Sequence, residues 1–301
     1  MRLGTVEADG ERLVAIADEA TLVDLTATGD ARLGSMLALI DAGAEGLAAA
    51  RAALDEAAVT LPMEGTRILA PLPEPRQMRD CLVFEEHLKN SFKAAEAMTG
   101  RAFVIPPVWY QQPVYYKANR FSVIGPEADV IWPAYAEFLD IELELAVVIG
   151  KTGKDITPEA APDHIFGYTI FNDISARDAQ MIEMGGQLGP AKGKDFDTGN
   201  ILGPWIVTAD EVPHPAALTM EAHVNGERWG GGNSRDMHHE FGAILAHISR
   251  SETLRAGEVI GSGTVGTGCG LEIGKRLAPG DVFELTIEKI GTLRNRIIRE
   301  G

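Results

Sequence analysis

A β-rich α+β fold is what this sequence predicts, and three observations predict it. Short runs rich in β-branched and aromatic residues recur along the chain, bounded by Gly, Pro and Asp-Gly turn signals. Only a few stretches hold helical spacing over useful lengths, which argues against a doubly wound sheet. No fixed-period repeat or low-complexity tract interrupts the pattern. The 301 residues, 45% hydrophobic, suffice for one large domain or for a small domain beside a larger one.

In chain order, Arg2–Glu7 and Arg12–Ala17 read as strands about the Asp9-Gly10 turn, and Thr21–Leu25 as a third. Ser35 opens an Ala- and Leu-rich helix to Ala58, weakened by Gly43 and Gly46. Pro62, Pro71, Pro73 and Pro75 then mark a linker. Residues 1–76 are therefore expected to form a small β-containing N-terminal domain with its linker, and residues 77–301 the larger domain. A helix runs from Glu85 to Met98 and ends before Pro106-Pro107. Pro113–Lys117 and Phe121–Ile124 read as strands, and Ala136–Gly150 as one long strand. Ile165–Phe171 is a further strand, leading into a capped helical turn over 172–180. The Gly-rich segment 185–203 reads as an ordered loop. Strands follow at Trp205–Thr208, Leu218–Val224, Val259–Gly261, Val282–Glu288 and Gly291–Ile298, with a helix at Met237–Ile248.

A formal net charge of −17 makes nucleic acid or an anionic membrane surface a poor partner, although a local basic pocket remains compatible with it. The two cysteines, Cys81 and Cys269, lack metal-ligand spacing and suggest no disulfide framework. The N-terminus has no apolar core of signal-peptide type, and no apolar run is long enough to span a bilayer. A cytoplasmic protein is the expectation.

The chemistry is expected around Ala136–Gly150. Asp140, Glu142 and Glu144 alternate with Ile141, Leu143 and Leu145, so a single strand would place three carboxylates on one face. Water would compensate them at a surface edge; a buried strand would need a cation. Asp173, just past an apolar strand, can complete a triad with Glu142 and Glu144, and Asp80 can add a fourth oxygen donor. Such a set suits Mg²⁺, Mn²⁺ or Ca²⁺ rather than zinc. The alternative for Asp173 is a helix N-cap. Arg177 and Gln180 share a helix face with Asp173; Arg177 can bind a substrate carboxylate or pair with Asp173 or Asp178. Lys192 and Lys194 in the Gly-rich loop can approach an oxyanion or stay solvated. His87, after Glu85 and Glu86, can act as a general base or simply pack. His238-His239-Glu240 looks like a metal cluster, but adjacent helical residues diverge, so these read as structural or surface residues. The string Gly261-Ser-Gly-Thr-Val-Gly266 has the form of a dinucleotide motif, yet no useful helix can follow it; a loop closing over a small ligand is the better account.

Taken together, these blocks resemble the fumarylacetoacetate hydrolase superfamily over residues 76–301. The matching segments are Asp80-x6-His87, Leu139–Ala146, Gly167–Gln180, Gly189–Lys194, Gly261–Thr264, Pro279–Asp281 and Gly291–Asn295, in order and at matching spacing. The resemblance implies a mixed β-sandwich roll, usually a homodimer. It implies that Glu142, Glu144 and Asp173 bind a divalent ion, with Asp80 a further ligand, as in the fumarylacetoacetase branch. His87 falls on the catalytic histidine. Arg177, Gln180 and Lys194 fall on the residues that hold substrate and oxyanion, Tyr116 on the substrate-facing tyrosine, and Thr264 on the threonine of the Gly-Thr loop. The glutamate that orients the histidine falls on Glu272, with Glu86 and Glu85 as alternatives. Lys117-Ala-Asn-Arg120 departs from the Lys-x-Pro-Ser of shorter bacterial members.

The expected activity is hydrolytic C–C cleavage of a small β-diketo or 2,4-dioxo acid. Isomerisation, decarboxylation or hydration of a 2-oxo acid on the same scaffold is the alternative, and a non-catalytic ligand-binding protein a more distant one.

Overall fold

Three strands buried at every residue, Leu143–Ile149, Ile165–Asp173 and Asn200–Thr208, lie side by side and antiparallel. Such continuous burial requires cover on both faces. In the first of them, Leu143, Leu145, Val147 and Ile149 point into one apolar core, and Ala146 and Val148 into another. The period-2 geometry of the strand separates the two sets. The structure is a computed structural model and describes residues 1–212 and 216–300.

These strands are the middle of a 12-stranded mixed sheet. On one side it continues through Val259–Gly261, Met78–Cys81 and Tyr115–Ala118. On the other side, Arg2–Glu7 pairs antiparallel with Asn200–Thr208, followed by Glu11–Ile16, Thr21–Asp24 and Thr60–Pro62. The N-terminal strands thus extend the sheet that carries the larger part of the chain. The helix Met36–Glu56 covers this wing; Ser35 caps it by accepting from the Ala38 amide, and it kinks at Gly43, where φ is 54°.

A second sheet of five strands includes Thr219–Val224, Val282–Ile287 and Gly291–Ile298. Its last two strands alternate buried with less buried residues, as expected where one face packs and the other meets solvent. The β-rich α+β expectation is met. No helix among the described residues is long and apolar enough to cross a membrane.

Two local expectations are corrected. Segment 185–203 is not all loop: Ala191–Lys194 is a helical turn, and the buried strand begins at Asn200. The helix expected from Met237 starts at Phe241. His238 and His239 precede it and pack on Trp109, with ring centroids 4.9 and 6.1 Å away, so aromatic packing rather than helical divergence makes them structural.

Candidate active site

Glu144 shares the strand face of Ala146 and Val148 and is fully buried beneath the sheet's neighbour strands. The expected single strand over 136–150 is broken. Leu139–Asp140 pairs with Ser175–Ala176 in a small separate ladder, and the main strand restarts at Leu143. Between them the Glu142 amide donates to Asn172 Oδ1 at 2.8 Å instead of entering a ladder. The three carboxylates therefore do not line one face. Asp140 turns away: its Oδ2 accepts from Arg177 Nε at 3.0 Å and from the Leu271 amide at 3.0 Å, and its Oδ1 accepts from the Gly270 amide at 2.7 Å.

Asp80, Glu144 and Asp173 each place a carboxylate oxygen within 4.8 Å of the others. They arrive from three different strands, Met78–Cys81, Leu143–Ile149 and Ile165–Asp173. The Gly263 amide donates to Asp80 Oδ1 and to Glu144 Oε2, both at 3.1 Å. Asp173 ends its strand and caps no helix, since the following helix Arg177–Met184 has Ala176 at its cap. Glu142 stands beside this triplet, with Oε1 2.8 Å from Arg177 Nη2 and Oε2 against Lys194 Nζ.

Lys194 is buried in the cluster and bridges it. Besides Glu142, its Nζ donates to Asp173 Oδ2 at 2.6 Å and to the Asp173 carbonyl at 3.1 Å. Gly193 permits this approach, because a Cβ there would lie 2.6 Å from the Gln180 Cβ. Lys192 is exposed, its Nζ 4.6 Å from the centre of the Tyr135 ring. Arg177 Nη1 donates to Gln180 Oε1 at 3.1 Å. The Tyr116 hydroxyl donates to Asp173 Oδ2 at 2.6 Å, whereas Tyr115 packs against His247.

His87 lies in the first turn of the helix Glu85–Thr99, and its Nδ1 is 2.8 Å from Glu272 Oε1. Glu272 sits in the short helix Gly270–Ile273, and its Oε2 accepts from the Thr267 amide at 2.7 Å and from Asn90 at 3.2 Å. Glu85 is engaged with Lys89 and Tyr110, and Glu86 lies against Gly266, so Glu272 is the carboxylate on the imidazole. Thr264 is buried in the loop after Val259–Gly261. No helix follows that loop at the spacing a dinucleotide site needs; the four residues Gly270–Ile273 instead present Glu272.

The sequence reading gave no role to Asn172, Asn90 and Cys269, and placed Asp140 on the shared carboxylate face. Asp140 fastens both Arg177 and the turn that carries Glu272, and Asn172 shapes the Glu142 link. Asn90 braces Glu272; its i+3 spacing from His87 on one helix face was a legible signal. Cys269 places Sγ 3.4 Å from Glu272 Oε1. A cavity of about 430 Å³ adjoins Glu272, with Lys93, Lys275 and Arg276 around walls formed partly by Phe138 and Leu271.

The charges do not balance within the protein. Five buried carboxylates, Asp80, Asp140, Glu142, Glu144 and Asp173, face two buried cations, Arg177 and Lys194. Burial, then Asp173, pushes Asp80 up to about 8. Burial, then Asp80, pushes Glu144 well above the carboxylate range. At Glu142 burial is outweighed by Arg177 and then Lys194, which hold it well below that range. At Lys194 burial is likewise outweighed, by Asp173 and then Glu142, and its affinity for the proton rises. Glu144 Oε1 and Asp173 Oδ1 are buried without any hydrogen-bond partner. Partnerless carboxyl oxygens in a region short of positive charge fit a hard divalent cation, which would displace the protons held there.

The family model described as fumarylacetoacetate (FAA) hydrolase C-terminal matches residues 80–298. A mitochondrial oxaloacetate tautomerase of Xenopus laevis is 31% identical over 284 residues, covering 94% of this chain and 84% of that protein. A fumarylacetoacetate hydrolase structure from Exiguobacterium antarcticum superposes with a TM-score of 0.80 at 32% identity, covering 100% of both chains. A maleylpyruvate hydrolase from Sphingobium sp. SYK-6, in complex with manganese(II) and pyruvate, gives a TM-score of 0.79 at 26% identity, again covering 100% of both.

Proposed function

The chain belongs to the fumarylacetoacetate hydrolase family, whose members include hydrolases and tautomerases, and from that premise we propose a divalent-metal-dependent hydrolase that cleaves a C–C bond in a 2,4-dioxo acid. The observation that carries this reading is the His87–Glu272 pair beside a buried carboxylate cluster with two partnerless oxygens. Asp80, Glu142, Glu144 and Asp173 would hold Mg²⁺, Mn²⁺ or Ca²⁺. When bound, the ion supplies Lewis-acid polarisation of the substrate's carbonyl oxygens.

Glu272 accepts from His87 Nδ1–H, which leaves Nε2 free to take a proton. Water gives that proton to Nε2, and its oxygen bonds to the distal carbonyl carbon. The adjoining C–C bond then breaks. Its electron pair passes to the 2-oxo fragment as an enolate, and His87 returns the proton to the carbon left behind. One water is consumed and two acids are formed. Arg177 and Lys194 meet the negative charge as it develops, and Gln180 steadies Arg177. Tyr116 fixes Asp173, and Thr264, buried in the loop after Val259–Gly261, would contact the substrate. Lys93, Lys275 and Arg276 around the neighbouring cavity explain how a strongly acidic protein admits an anionic substrate.

The Xenopus relative favours a second reading, keto–enol tautomerisation of oxaloacetate, in which His87 moves a proton on carbon and no bond to water forms. A panel of acylpyruvates and enol-oxaloacetate, followed by ultraviolet absorbance with Mn²⁺ or Mg²⁺ present, separates the two. Hydrolysis releases a 2-oxo acid and a second carboxylic acid in equal amounts; tautomerisation converts the enol to its keto form and releases no second acid. Absence of metal-dependent turnover with every 2-oxo acid would remove both readings.

A further inference from the structure

We propose that His87, Cys269 and Glu272 form a second cation site, selective for soft or borderline divalent ions such as Zn²⁺ and Cd²⁺, and that occupation of this site switches the enzyme off. The inhibitory part rests on His87 being the base.

One ring nitrogen of His87, Cys269 Sγ and a Glu272 carboxylate oxygen lie within 4.8 Å of one another. His87 Nδ1 is 2.8 Å from Glu272 Oε1, and Cys269 Sγ is 3.4 Å from the same oxygen. Four-coordinate zinc with N, S and O donors sets its ligand atoms about 3.3–3.8 Å apart. The pair that must open is therefore His87–Glu272, by about 0.5 Å. His87 and Cys269 are buried and the Glu272 side chain is covered, while Glu272 and its partner Asn90 line the 430 Å³ cavity through which the ion would enter.

The donor set decides which ion enters. A thiolate and an imidazole suit Zn²⁺ and Cd²⁺, whereas the all-oxygen cluster at Asp80, Glu144 and Asp173 suits Mg²⁺, Mn²⁺ or Ca²⁺. Neutral imidazole, one thiolate and one carboxylate cancel the charge of a divalent ion, so the buried site becomes neutral. Burial, then Asp140, pushes the Cys269 thiol well up, so this sulfur is no free nucleophile, and the cation displaces its proton. The Nδ1 proton must leave as well, and the neutral ring carries it on Nε2 instead. One proton is released per ion bound. An imidazole with the ion on Nδ1 and hydrogen on Nε2 has no lone pair left to accept a proton from water, so turnover stops while the hard-metal site stays filled.

The test is titration of the full-length, Mn²⁺-loaded protein with Cd²⁺, with binding read by the thiolate-to-cadmium ultraviolet absorption band and turnover measured in parallel. One equivalent should raise the band and abolish turnover, and excess Mn²⁺ should reverse neither. Cys269→Ser and Cys269→Ala should lose the band, and in each the Cd²⁺ needed to halve that variant's own turnover should rise at least about 10-fold. Cys81→Ser should keep the band. No band in the wild type, or an undiminished band in the Cys269 variants, overturns the site. A band without inhibition overturns the base role of His87 and with it the switch.

Discussion

A single methyl group at Gly261 should disable the carboxylate cluster. Gly261 pairs with Asp80 on one side and Ala146 on the other, so its missing side chain is the space into which the acidic groups project. A Cβ there would stand 2.6 Å from Asp80 Oδ1, 2.6 Å from Glu144 Oε2 and 2.7 Å from Phe171 Cδ1. Ordinary contact begins near 3.5 Å, so each carboxylate oxygen must retreat by about 0.9 Å. Phe171 is fully buried and cannot yield on the third side. Gly261 is outside the left-handed backbone region, so alanine fits the main chain and the effect is one of contact alone. Metal sites tolerate ligand displacements of only about 0.2 Å. Gly261→Ala should therefore weaken Mn²⁺ binding about 10–100-fold, or roughly 1.4–2.8 kcal/mol. Overpacking adds a stability loss of about 1–3 kcal/mol. Calorimetric Mn²⁺ titration and urea unfolding measure the two effects, with Gly34→Ala as the control, since its nearest contact is an ordinary 3.4 Å. Wild-type Mn²⁺ affinity in folded Gly261→Ala would refute the assignment of Asp80 and Glu144 to a metal site.

His87→Ala should keep its fold and Mn²⁺ affinity but lose turnover by roughly 10²–10⁴-fold; unchanged kcat would remove the base assignment. Asp140→Ala removes one of the two buried carboxylates on Arg177 and frees the Gly270–Leu271 turn, while Glu142 still faces the guanidinium, so unfolding in urea should show a loss of roughly 1.5–3 kcal/mol. Without divalent metal, Asp80 titrates at about 8 in the folded state against about 4 in the unfolded state, and the Glu144 shift has the same sign. The folded state then holds extra protons at these two groups, so their contribution to stability is full below about pH 4 and is lost as pH rises through about 8. Melting temperatures in chelator should fall across that window, Mn²⁺ should flatten the fall, and Asp80→Asn should reduce its slope; a slope unchanged in Asp80→Asn would contradict the linkage.

Local pattern was enough to show the strands, because side-chain alternation and turn residues act over a few positions. Gly291–Ile298 and Val259–Gly261 have the bounds their residues suggest. The same pattern misled at 136–150, where perfect alternation implied one strand. The Asn172 side chain, 30 residues away, captures the Glu142 amide and breaks the ladder. Lys192 and Lys194 look alike in the sequence; only the packing of Gly193 on Gln180 buries one and leaves the other in solvent.

By itself, then, the amino-acid order determined a β-rich fold and a set of acidic residues whose oxygens suit a hard cation, while the family resemblance singled out His87. The tertiary structure decided which groups meet: Glu272 on His87 across 185 positions, Lys194 between Glu142 and Asp173, Asp140 withdrawn to Arg177. Residue type and spacing determine what a side chain can do within its own strand or helix. Which charge it faces after burial depends on how distant strands close on one another, and it is the cost of an unpaired buried charge that selects those partners.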